Sequence, residues 1–188
     1  MLKRVGVLCL VGLTALVATA TAQTGRARSG SSRIESRTDA APWLNEELTD
    51  VHTGETFTLA EFAGTPILLE SFAVWRPVCL AQQIQIHGLH GIRDGFVSIS
   101  IDTDPNESAA LVTQHTRRNA LGVPEAWRYA VAPITLTRQL IRVFGLVIAS
   151  APSAPIVLIC ADQSARILRT GVKRSSELAD EIARGCAL

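Results

Sequence analysis

The chain has 188 residues, 47% of them hydrophobic, enough for one domain whose core needs no metal or disulfide scaffold to fold. Eighteen Lys and Arg against 17 Asp and Glu leave a net charge of +1, which gives no sign of a nucleic-acid partner.

Met1 to Ala22 has the parts of an export signal: Lys3 and Arg4 in front, an apolar stretch from Val5 to Val17, and small residues at Ala20-Thr21-Ala22. An uncleaved membrane anchor through residues 5–22 is the alternative, because those 18 residues border on a spanning length. Both readings put the folded part outside the cytoplasm, secreted or membrane-anchored. Residues 23–40 are rich in Ser, Arg, Gly and Thr and hold one large aliphatic residue, Ile34, so a flexible linker is expected. Its arginines at 26, 28, 33 and 37 read as a solvated tail, with attraction to an anionic membrane surface the lesser reading. The domain then spans 41–188. It contains Cys79, Cys160 and Cys186, an odd number, with no Cys-x-x-Cys pair.

Ala41-Pro42-Trp43-Leu44 opens the domain. A turn at Thr53-Gly54-Glu55 leads to a short strand at 56–59 and a helical turn stopped by Gly64. Pro66 to Ala73 is a continuous apolar run interrupted only by Glu70 and Ser71, which predicts a buried central strand. Pro77 suits a first helical position, so a helix is expected over 77–87, weakened beyond by Gly88 and Gly91. Strands follow at 96–101 and 127–131, with a helix over 107–119 between them and another over 133–144. Residues 145–154 read as loop, 155–160 as a second buried strand pairing with 166–170, and 175–184 as a closing helix. Strands alternating with helices and ending in a hairpin and helix predict an α/β layer fold.

One stretch carries the chemistry. Leu68 to Cys79 runs from a strand through Trp75-Arg76-Pro77-Val78-Cys79 into a helix. With Thr53-Gly54-Glu55, Phe62-Ala63-Gly64, Ser98-Ile99-Ser100-Ile101-Asp102 and Ser153-Ala154-Pro155, it resembles the thioredoxin-like superfamily, specifically the exported TlpA-like and redoxin thiol–disulfide proteins. The resemblance implies a thioredoxin-like fold, a central mixed β-sheet flanked by helices. It also implies protein or peptide thiols and disulfides as partners, and no cofactor; it leaves the oligomeric state open.

In that family the first Cys of Trp-Cys-x-x-Cys attacks a substrate disulfide and the second resolves it, the first sulfur being activated at a helix N-terminus. Here Arg76 stands at the first position and Cys79 at the second. Cys79 is the candidate catalytic thiol: a reactive thiolate favoured by the helix terminus and Arg76, or a buried structural thiol. Glu70, six residues before Arg76, matches the buried acid that assists proton transfer in thioredoxins and is expected to pair with Arg76. Trp75 and Pro77 belong to the substrate-binding side, Trp75 as an exposed peptide contact or as core. Pro155, with Ala154 before it, resembles the family's cis-proline that meets bound peptide; a trans Pro opening a strand is the alternative, and Pro152 competes for the assignment.

Three activities fit these residues: a thiol–disulfide oxidoreductase working through Cys79, a catalytically inactive binding module, and a peroxidase. The last rests on the similarity of Arg76-Pro77-Val78-Cys79 to the peroxiredoxin Thr-x-x-Cys, in which the Thr is missing and Phe72 stands where that family has Pro. Copper-handling relatives of the fold use two Cys and a His, and Trp75 occupies the first of those Cys positions. No metal site is therefore expected, and His87, His90 and His115 read as solvated helix residues.

Overall fold

The apolar run after Pro66 forms the middle strand of a five-stranded sheet. A computed structural model describes residues 41–122, 124–150 and 153–186. In chain order these give β1 (Leu48–Thr49), β2 (Thr56–Phe57), β3 (Ile67–Phe72), α1 (Pro77–His90), β4 (Val97–Asp102), α2 (Ala109–Arg118), β5 (Trp127–Val131), α3 (Ile134–Phe144), β6 (Ile156–Ile159), β7 (Ala165–Ile167) and α4 (Ser175–Arg184). The sheet order is β5-β4-β3-β6-β7, with β1 and β2 forming a separate antiparallel pair. β3, β4 and β5 run parallel, while β6 is antiparallel to β3 and β7 to β6. The sheet is thus mixed, as the resemblance implies. The expected leader or anchor over 1–22 and the linker over 23–40 lie outside the described residues, as does Pro152. Among the described residues no helix is long and apolar enough to cross a membrane.

β3 is buried along its whole length because both faces of the sheet are covered. One face carries Ile67, Leu69, Ile99, Ile101 and Val157 against Leu136 and Leu140 of α3. The other carries Leu68, Phe72, Tyr129, Ile156 and Leu158 against α1, α2 and α4, through Ile86, Leu89, Val112, Leu178 and Ile182. Strand alternation puts Glu70 on this second face, opposite Ser100 of β4.

Several boundaries differ from expectation for local reasons. α1 runs on to His90, because Gly88 lies against Ser175 of α4, where there is no room for a side chain. The strand at 56–59 shortens to two residues, since Leu59–Phe62 coils into a 3-10 turn. β1 is too short to leave a sequence period, and Leu146–Ala149 makes a 3-10 turn within the expected loop.

Candidate functional site

β3 ends at Phe72, and five residues later Pro77 starts α1 with its ring at a position that needs no N–H. Two acids from the β4–α2 connection fix the link between them. The Val74 N–H donates to Glu107 Oε2 at 2.7 Å, and Trp75 Nε1 donates to Asp104 Oδ2 at 2.8 Å. Trp75 is 62% exposed, which decides for the surface reading of this residue. Arg76 caps α1, and its guanidinium lies 4.8 Å from the centre of the Trp75 ring, a cation–π contact.

Cys79 lies on the inner side of α1, 1% exposed, packed with the residues of the second core. Burial pushes its thiol up to about 11, outweighing the lowering by the Ala73 backbone and by Arg76; Glu70 adds to the rise. The helix terminus and Arg76 therefore do not depress the pKa, and of the two readings of Cys79 burial favours the structural thiol. Cys160 and Cys186 are joined in a disulfide between the end of β6 and the end of α4, so Cys79 is the free thiol among the described residues.

Beneath the motif, Glu70 is fully buried. Ser100 Oγ donates to its Oε2 at 2.7 Å and accepts from Trp127 Nε1 at 3.0 Å. Burial pushes this carboxyl up to about 8 against the opposing influence of Ser100, Gln83 and Lys173, so at neutral pH it is mostly protonated. The expected pair with Arg76 does not form: no ion pair joins them among the described residues, because Arg76 turns outward over Trp75 while Glu70 faces the core. The cation whose charge acts on Glu70 is Lys173, 1% exposed, from the loop before α4. Its main chain is clasped by Gln82 of α1, whose Oε1 accepts from the Lys173 N–H at 2.7 Å and whose Nε2 donates to the Lys173 carbonyl at 3.1 Å. Burial pulls the ammonium down to about 8, against the pull of Glu70.

Lys173 Nζ donates to the carbonyl of Ala154 at 2.6 Å. Ala154 sits at φ 40°, a left-handed conformation that costs a non-glycine residue about 1 kcal/mol or more. The next carbonyl, that of Pro155, accepts from the Ser71 N–H at 3.3 Å. Both residues are buried, and both carbonyls are occupied from within the fold. At the position expected to meet peptide, both residues are thus buried with internally bonded carbonyls, while Trp75 and Pro77 stay exposed.

Sequence reasoning missed Lys173, Gln82 and Ser100. Ser100 left a signal: Ser98 and Ser100 fall on one face of a strand expected to be buried, so that face had to hold polar partners. Those partners are Glu70 for Ser100 and His90 for Ser98, the latter at 2.9 Å. The histidines depart from the solvated reading accordingly. His90 stacks on Phe96 at 4.6 Å, and burial draws its pKa down to about 4; His115 is buried, with Nε2 against Gln83 Oε1 at 2.7 Å. His87 is exposed as expected. Nothing in the sequence distinguishes Lys173 from a surface lysine.

No protein-family model matches the chain, and no curated protein matches it. Solved structures do. A secreted Mycobacterium tuberculosis disulfide oxidoreductase homologous to E. coli DsbE aligns with a TM-score of 0.59 at 17% identity, over 77% of this chain and 98% of that one. A thiol:disulfide interchange protein of the thioredoxin family from Chlorobium tepidum gives 0.57 at 17% identity, over 76% and 93%. The pneumococcal exposed lipoprotein thioredoxin from Streptococcus pneumoniae gives 0.56 at 16% identity, over 74% and 98%. At these identities the likeness is one of fold, consistent with the five-stranded mixed sheet flanked by helices: the chain has the thioredoxin-like fold of thiol–disulfide oxidoreductases.

Proposed function

We propose that this domain is a redox-silent binding module on a thioredoxin scaffold, engaging protein segments through the motif face around Trp75 and Pro77. The observation that carries the reading is the state of Cys79: a buried thiol held at about 11, with no second free thiol among the described residues. At pH 7 a thiol of that pKa is ionised in roughly one molecule in ten thousand, and only the thiolate attacks a disulfide or a peroxide. Arg76 holds the place of the attacking Cys, so the two-step exchange lacks its first partner. Placement outside the cytoplasm is part of the proposal. The Cys160–Cys186 disulfide favours it, since such bonds persist in oxidising compartments, and so does the secreted or exposed nature of two structural neighbours.

The test is direct. The full chain, supplied with dithiothreitol, should reduce insulin no faster than its Cys79→Ser variant does. Alkylation of Cys79 by iodoacetamide should be negligible at pH 7 and rise only toward pH 11. Cys79-dependent insulin reduction, or a thiol that alkylates fully at pH 7, would return the domain to the oxidoreductases.

A further inference from the structure

We infer that the ligand of this module is an acidic, leucine-type apolar peptide segment of a partner protein, held in a cleft between the motif and α2; the inference rests on the binding-module reading and specifies its partner. The cleft encloses about 380 Å³, room for two or three side chains. Its apolar wall is Pro77, Leu80 and Leu111, with the Trp75 indole beside them and the guanidiniums of Arg76 and Arg118 among its lining groups.

Three features select the occupant. The first is charge. No acid lines the cleft, and neither Arg76 nor Arg118 forms an ion pair among the described residues. Two acids lie nearby: Glu107 accepts from the Val74 N–H, and Asp104 accepts from the Asn106 N–H at 3.0 Å and from Trp75 Nε1 while the Arg76 charge helps hold it ionised. His115, also in the lining, is drawn below its ordinary pKa by burial and adds no charge at neutral pH. Asp104 thus answers Arg76, and Arg118 is the cation that an anion in the cleft would neutralise.

The second feature is the rim. Trp75 is 62% exposed and Leu111 42%, two large apolar surfaces set beside those cations. An inorganic anion would leave both in water, whereas a peptide with an apolar residue next to its acid covers them. The third is Gln114, whose side-chain amide lines the cleft and makes no hydrogen bond of its own among the described residues, so it can pair with a peptide backbone.

The experiment measures fluorescence polarisation of a labelled dodecapeptide of Glu-Leu-Gly repeats, with counterparts carrying Gln or Lys in place of Glu, against the full chain. The acidic peptide should bind at least about ten-fold tighter than the Gln peptide, the Lys peptide should bind weakest, and salt should weaken the acidic complex. Arg118→Glu and Leu111→Asp should each weaken it about ten-fold or more. Both residues are exposed, so both variants should fold, as circular dichroism would verify. Arg142→Glu, an exposed arginine on α3 away from the cleft, should change nothing. Equal binding of the acidic and Gln peptides, or indifference to Arg118→Glu and Leu111→Asp, overturns the inference. So does displacement by succinate or inorganic phosphate at concentrations matching the peptide, which would mark a small-anion site. The iodoacetamide assay on the same preparation separates the two levels: an inert Cys79 with failed peptide binding removes only this cleft, whereas a reactive Cys79 removes the binding-module reading with it.

Discussion

Glu70 places a carboxyl in the core with Ser100 as its hydrogen-bond donor, and the consequence is a pH dependence of stability. Its folded pKa of about 8 exceeds its ordinary value of 4.5, so between those limits the folded chain binds more protons than the unfolded one. Stability from this group is complete below pH 4.5 and is lost as pH rises through about 8, by up to about 1.4 kcal/mol per pH unit. His90 has the opposite sign: its folded pKa of about 4 lies below its ordinary 6.5, so its contribution is lost as pH falls through that window. Asp102, which burial raises from 3.8 to about 8, has the same sign and window as Glu70. Urea denaturation across pH 4 to 8 should therefore show Glu70→Gln reducing the decline toward pH 8 without abolishing it, and leaving the His90 limb intact. A Glu70→Gln variant that declines as steeply as the parent would place the source elsewhere. The sequence identified Glu70 as a buried acid but could not name its surroundings, because Lys173 lies 103 positions away and its burial depends on the Gln82 clasp.

The packing of α1 on α4 turns on one glycine. A Cβ on Gly88 would lie 2.8 Å from Ser175 Oγ, which donates to the Gln85 carbonyl at 2.7 Å. Gly88→Ala should then destabilise the chain by about 1–3 kcal/mol, either by forcing the helices apart or by breaking that bond. With Ser175→Ala already in place the obstruction is gone, and the same Gly88→Ala change should stabilise by about 0.5–1 kcal/mol through helix propensity. A double-mutant cycle in urea reads the coupling, and simple additivity of the two changes would refute the contact. The same contact explains why the helix was legible only to His87. Gly88 reads as a breaker in one dimension, and only the approach of α4 shows it to be the residue the interface requires.

For the whole molecule, the disulfide matters most. The Cys160–Cys186 bond closes 26 residues of chain and fastens the end of α4 to the end of β6. Loop-closure entropy for that span corresponds to about 3.5 kcal/mol. Reduction, or Cys160→Ser with Cys186→Ser, should lower the unfolding free energy by about that much and leave acidic-peptide binding unchanged. An unchanged midpoint after complete reduction would show that the bond adds nothing. The architecture as a whole was readable, since strand and helix periods survive in the sequence and the Trp75–Cys79 stretch fixes where the central strand meets its helix. The pairing of Cys160 with Cys186 and the bond from Lys173 to the Ala154 carbonyl were not, because both depend on segments distant in the chain meeting in the fold. The loop that carries Trp75 is itself held from three directions: Glu107 on the Val74 N–H, Asp104 on the indole N–H, and Arg76 on the ring face. An exposed tryptophan ordinarily surrenders rotameric freedom when a partner arrives, at about 0.5–1.5 kcal/mol for such a side chain. Here that entropy is already spent in folding, so the free protein meets its partner with the indole in place.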